Sequence, residues 1–189
     1  MDLPQPVERT CDLATSLREI RERTLGLVAD LDDERMLGPR LGVVNPPLWE
    51  IGHVGWFQEF WVLRHTRGLA PILANGDAVY DSAVLAHDHR WDAPLLSIPE
   101  TKDYLGRVLE RIVRGSGQER TGAERYFLTL ALLHECMHTE ALTYARQTLG
   151  YAAPRFVDAQ SSSRAHEAAG EPLGDAFVPG GRLLLGSTR

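Results

Sequence analysis

The chain has 189 residues, 43% of them hydrophobic and 24% charged, with a formal net charge of −6. That length holds one domain, or one and a fragment of a second, and the composition excludes a disordered chain, while the negative balance excludes a binder that needs a dominant basic face for nucleic acid. No apolar run approaches the ~20 residues of a membrane-spanning helix, Met1-Asp2-Leu3-Pro4 does not read as a signal peptide, and two cysteines, Cys11 and Cys136, fit a reduced, cytoplasmic setting better than a disulfide framework.

From about Pro6 to Leu31, the residues Val7, Cys11, Ala14, Leu17, Ile20, Thr24, Leu27, Val28 and Leu31 recur at spacings of three and four. That predicts a long helix with its Arg and Glu residues on the other faces. Asp32-Asp33, Gly38-Pro39 and Gly42 end it in a loop. Asn45-Pro46-Pro47 opens a second helix, with Asn45 as its cap. It runs from Leu48 to about His65 and turns Trp49, His53, Trp56, Phe60 and Leu63 inward. Residues 66–96 read as irregular, with a turn at Asn75-Gly76-Asp77; a connection of this length is uncommon and often functional. Ser97-Ile98-Pro99-Glu100 is a capping box for a third helix. It turns Tyr104, Leu105, Val108, Leu109 and Ile112 inward and stops near Gly115. A fourth helix runs from about Ala123 to Leu149 and ends at Gly150; its inward face is Phe127, Leu130, Ala131, His134, Met137, His138, Ala141 and Ala145.

The expected fold is all-α, a four-helix bundle over residues 1–150, antiparallel in its simplest form but with loops long enough for other helix orders. Residues 151–175, with Pro154, Ser161-Ser162-Ser163, Gly170, Pro172 and Gly174, read as a linker. The stretch from Ala176 to Gly186 reads as strand, tight turn and strand. A lone hairpin is marginal in water, and Leu183-Leu184-Leu185 would be an unpaired edge. Residues 176–189 are therefore expected to begin a second, mostly β domain that this chain lacks.

The histidines carry the chemistry. His134 and His138 lie one helical turn apart, so both rings can grip one metal ion. Burying two unpartnered imidazoles among aliphatic side chains would cost several kcal/mol, which argues for a ligand. With Glu135 they spell H-E-x-x-H, also the zinc-metalloprotease pattern. A protease of that type takes its third ligand downstream, where most candidates fall in the linker. His53, on the inward stripe of another helix, completes a three-His set more economically. Three neutral imidazoles leave the ion's charge uncompensated and positions open, which suits Fe(II), Zn(II) or Ni(II). Glu135 and Glu140 are candidates to orient the ligands. Cys136 reads as a small boundary residue; Trp49, Trp56, Phe57 and Trp61 read as packing, with cation–π attraction to a cationic substrate as an alternative for a Trp.

These residues resemble a family. Asn45-Pro46-Pro47-Leu48-Trp49-Glu50-Ile51-Gly52-His53-Val54-Gly55-Trp56-Phe57, with His134-Glu135-Cys136-Met137-His138-Thr139-Glu140, is similar to the DinB-like N-terminal domain of the ergothioneine-type sulfoxide synthases. Phe177-Val178-Pro179-Gly180-Gly181-Arg182 and the residues to Ser187 are similar to the start of their second domain, which has the formylglycine-generating-enzyme fold. The resemblance implies a non-haem Fe(II), O2-dependent oxidoreductase that joins a sulfur donor to C2 of the imidazole of hercynine, trimethylated histidine. It implies His53, His134 and His138 as iron ligands, and it places the catalytic tyrosine and much of the hercynine pocket in the missing domain. The loop before the third helix departs from the arginine-rich form that takes γ-glutamylcysteine. Tyr80-Asp81-Ser82 with His87-Asp88-His89-Arg90-Trp91-Asp92 is instead similar to the selenoneine-synthase branch, which takes a selenosugar. Tyr80, His87, His89 and Arg90 are the candidate substrate residues, Arg90 for a donor carboxylate. Two other readings stay open: a DinB-like metal-dependent hydrolase or thiol transferase, and a truncated metal-binding module with no activity of its own.

Overall fold

In the computed structural model, which describes residues 12–114, 122–154 and 179–182, the first helix opens where Asp12 caps it, Oδ1 accepting from Ala14 N at 3.2 Å. Residues Met1–Phe156 form one compact unit and Val157–Arg189 a second. Of the second, only 179–182 is described, without regular structure. The predicted start of the first helix with Val7 and Cys11, most of the predicted linker and most of the predicted β segment lie outside the described residues.

The first unit is helical, and the described residues contain no strand. Its elements are α1 (Leu13–Val28), a short α2 (Asp33–Leu37), α3 (Pro47–Gln58) continued by a π-helical segment (Glu59–Thr66), a short α4 (Gly76–Tyr80), a 3-10 turn (His87–His89), α5 (Ile98–Arg114) and α6 (Gly122–Thr148). Local signals set several ends. Glu100 Oε2 accepts from Ser97 N at 2.9 Å, the reciprocal bond of a capping box. Gly150 has φ +66°, the left-handed stop that favours glycine. Asn45 does not cap α3, whose N-cap is Pro46; the Asn45 side chain is taken by Arg90 Nη1 at 2.5 Å instead.

The helix order is up, down, down, up. Arg21 and Leu27 of α1 meet Glu135 and Arg146 of α6 in the same sequence order, so these two run parallel. Glu50 and Gln58 of α3 meet His138 and Glu135 in the reverse order. Gly55 lies against Leu105, and Arg67 reaches Ile112 O at 3.1 Å, so α5 runs parallel to α3. Each of α1 and α3 packs on both α5 and α6. Since α3 and α5 point the same way, their connector must travel back along the bundle. Its length follows from that, and α4 is pinned to α3 on the way: Trp56 Nε1 donates to Asp77 Oδ1 at 2.7 Å and Trp49 Nε1 to Val79 O at 2.8 Å.

The π segment departs from the continuous helix expected over Leu48–His65. Each wider turn carries an additional residue, which shifts the inward set. Glu59, Val62 and Leu63 are buried, while Phe60 is only half-buried. Glu59 accepts from Ile72 N of the connector at 2.9 Å and from the Tyr104 hydroxyl of α5 at 2.7 Å.

The inward face of α6 also differs from the apolar stripe. Its centre is Leu128, Ala131, Glu135, Leu142 and Ala145, and Met137 is 51% exposed. Glu135 has no exposure at all and Arg21 has 3%. The carboxylate accepts from Arg21 Nε at 2.7 Å, Thr24 Oγ1 at 2.9 Å and Gln58 Nε2 at 2.7 Å. Arg21 also donates to Leu105 O and Gln58 Oε1, both at 2.8 Å. One buried ion pair thus joins α1, α3, α5 and α6. Arg21→Ala should leave a buried, undercompensated carboxylate and cost about 3–5 kcal/mol, whereas an apolar pair at both positions should recover much of that loss. Urea unfolding of the single and double variants checks this; equal losses in both would show that the buried charge is not the cause.

Candidate metal centre

His53 comes from α3, and His134 and His138 come from α6. Antiparallel packing of these helices brings the rings together, with centroids 5.0 Å apart for His53–His134, 5.0 Å for His53–His138 and 4.5 Å for His134–His138. One ring nitrogen from each lies within 4.8 Å of the others. The two Nε2 atoms of His134 and His138 are 3.2 Å apart.

Hydrogen bonds fix two of the tautomers. His53 Nδ1 lies 2.7 Å from Tyr80 O, a carbonyl that can only accept, so this nitrogen carries the proton. His138 Nδ1 lies 2.9 Å from Glu50 Oε1 and donates to it. Both therefore turn an Nε2 lone pair toward the shared space. His134 Nδ1 is buried without a partner, and its ring is stacked on Phe57 with centroids 3.7 Å apart. Burial is the main force on these rings. It pulls His53 down to about 4, with His138 and Arg90 adding to it against the Tyr80 bond. It pulls His134 down to about 2, with the other two histidines adding. Both are neutral at neutral pH, as ligation requires.

The donor set fits a divalent first-row ion. Two ligand nitrogens about 2.1 Å from one ion lie about 3.0–3.4 Å apart at angles from square to tetrahedral, and the 3.2 Å Nε2 separation falls in that range. Lone pairs that close repel unless a cation or a proton lies between them. Aromatic rings close the inner side: Trp49 stacks on His53 at 4.8 Å and Trp56 lies 5.8 Å from it.

The other sequence candidates fall in different places. Glu135 touches none of the three histidines, because its carboxylate is committed to Arg21, Thr24 and Gln58. Glu140 is exposed. The Tyr80 ring is buried under α3, and its hydroxyl accepts from Leu96 N at 3.2 Å; Tyr80 serves the centre through its carbonyl. His87 Nε2 donates to Val44 O at 2.8 Å, and His89 is exposed on the 3-10 turn. Arg90 lies over Trp49, 3.8 Å from the ring centroid. With Asn45, Glu50, His87 and Tyr144 it lines a cleft of about 180 Å³. Glu50 and the Tyr80 carbonyl are the two supports that the sequence reading missed. Glu50 left a trace, a carboxylate three residues before His53 on an inward stripe. A backbone carbonyl leaves none.

Residues 16–142 match the DinB superfamily. A protein of Mycolicibacterium thermoresistibile named hercynine oxygenase is 27% identical over 141 residues, which cover 74% of this chain and 31% of that protein. Hercynine oxygenase of Mycobacterium tuberculosis is 28% identical over 137 residues, 70% of this chain and 32% of its own length. That of Mycolicibacterium smegmatis is 27% identical over 135 residues, 70% and 31%. The chain spans less than a third of the length of these relatives.

A Cβ on Gly52 would lie 2.3 Å from Tyr80 Cε1. Gly52→Ala should therefore displace Tyr80 and unseat the carbonyl from His53, lowering metal affinity roughly 10–100-fold, the usual cost of losing such a support. Tyr80→Phe keeps the carbonyl and should leave metal affinity unchanged. Anaerobic Fe(II) titration against a competing chelator distinguishes the two.

Proposed function

The chain belongs to the DinB superfamily, and we propose that its helical unit is the iron-binding part of an O2-dependent enzyme joining a sulfur or selenium donor to the imidazole of hercynine. The observation that carries this reading is the convergence of His53, His134 and His138, two of them with the lone pair directed inward by a fixed tautomer. The name of the relatives, hercynine oxygenase, supports the substrate and the oxygen.

Held by these histidines, Fe(II) would supply redox chemistry with O2 and affinity for a soft thiolate or selenolate. The three ligands bring no charge of their own, which leaves the ion electrophilic and its remaining positions free for donor and O2. Trp49, Trp56 and Phe57 keep water from the inner side of the rings. Arg90 is suited to a donor carboxylate. Its Nη1 is tied to Asn45 and the guanidinium lies over Trp49, which hold it in place at the cleft. His87, beside it in the cleft, and His89, on the same turn, are the further candidates for donor contact. The loop's likeness to the selenoneine-synthase branch favours a selenosugar over γ-glutamylcysteine. The catalytic group and the rest of the hercynine pocket belong to the formylglycine-generating-enzyme-like domain that residues 176–189 begin, in a cytoplasmic enzyme.

The zinc-metalloprotease reading of H-E-x-x-H needs Glu135 as a base beside the metal. A carboxylate bonded to Arg21 in the core is not available for that role. Metal analysis after anaerobic purification tests the proposal. Iron is expected, one ion per chain, and His53→Ala should lose it. Tightly held zinc with no oxygen uptake in the presence of hercynine and donor would sink the iron reading. Unchanged iron content in His53→Ala would sink the ligand assignment.

A further inference from the structure

The three histidines are unequally supported. His53 leans on a neutral backbone carbonyl, His134 Nδ1 has no partner, and His138 alone meets a charged side chain, Glu50. Glu50 is 1% exposed and lies on α3, three residues before His53, so one helix carries one ligand and the support of another. A carboxylate that deeply buried costs free energy unless it is hydrogen-bonded. The imidazole N–H of His138 supplies that bond across the α3–α6 interface at 2.9 Å.

We propose that Glu50 is the positioning residue of the metal centre: it holds the proton of His138 on Nδ1, so that Nε2 faces the ion, and it supplies through that ring the negative charge that three imidazoles lack. The inference rests on the metal reading above. A carboxylate oxygen that accepts from Nδ1 leaves the lone pair of the ring on Nε2, the nitrogen that faces His134. Charge on the outer partner also raises the basicity of the ligating nitrogen. The two other carboxylates considered near the centre do not compete, since Glu135 is matched by Arg21 and Glu140 is exposed. The same carboxylate lines the cleft beside Arg90.

Two measurements on the 189-residue chain test this. Nitrogen-15 NMR of the metal-free imidazoles should show the His138 proton on Nδ1 in the wild type and its loss from that site in Glu50→Ala. Glu50→Gln retains an acceptor oxygen and the side-chain shape, so it should keep the tautomer; it also guards against a Glu50→Ala chain that fails to fold. Anaerobic titration with Fe(II), and with Co(II) as a spectroscopic stand-in, should show a 10–100-fold loss of affinity for Glu50→Ala and a smaller loss for Glu50→Gln. Wild-type affinity in both variants, or a His138 tautomer indifferent to Glu50→Ala, would overturn the proposal while leaving the three-histidine reading intact. A wild-type chain that takes up neither ion would overturn that reading and the proposal with it.

Discussion

The buried pair of Arg21 and Glu135 fixes how α6 is rotated. Glu135 is about 100° round the helix from His134 and about 60° from His138. With Glu135 locked onto α1, the two histidines are turned toward α3, where His53 waits. A slip of α6 by one residue would swing both rings about 100° away. An apolar side chain at Glu135 would fill the same space and avoid the desolvation cost, but it would pack acceptably in several rotations. The ion pair has directional partners in α1 and α3 and, through Arg21, in α5. Its contribution is therefore to a single arrangement more than to net stability.

Topology supplies the second constraint. Because α3 and α5 run parallel, the chain must retrace the length of α3 before α5 begins. That return path passes the histidines. It leaves the Tyr80 carbonyl at His53 and places Arg90 over Trp49. Trp49, His53 and Trp56, spaced on the inward stripe of α3, each hold one point of α4: Val79 O, Tyr80 O and Asp77. The helix that supplies a ligand thus also builds that ligand's outer support. The bare α-carbon of Gly52 makes this possible, since it lets the Tyr80 ring lie directly on the helix.

Much of this was legible because it is local. The capping box at Ser97 and Glu100, the glycine stop at Gly150 and the helical period of the apolar residues need only neighbours in sequence. The three histidines were legible for the same reason, each lying on an apolar stripe where an imidazole is out of place. What escaped was non-local or concealed by a sound prior. Charged residues on a helix usually face water, so Arg21 read as outward, and Glu135 read as a support for the histidines; the two are 114 residues apart and neither shows the other in sequence. The π segment has no compositional mark, since the buried carboxylate that opens it is satisfied by Ile72 and Tyr104. Glu50 was hidden by the same prior as Arg21.

The two buried glutamates explain why one motif can serve different chemistries. In H-E-x-x-H the spacing guarantees only that the histidines share a face; it leaves the glutamate on the adjacent face, free to look at metal or away from it. Here the adjacent face of α6 packs on α1, and Arg21 claims the carboxylate. The centre then has no base of its own from α6, and the carboxylate that does reach a ligand arrives from α3 and acts on the far side of the ring. Such a centre would hold an ion by ring nitrogens, with the one carboxylate that reaches a ligand on the far side of its ring.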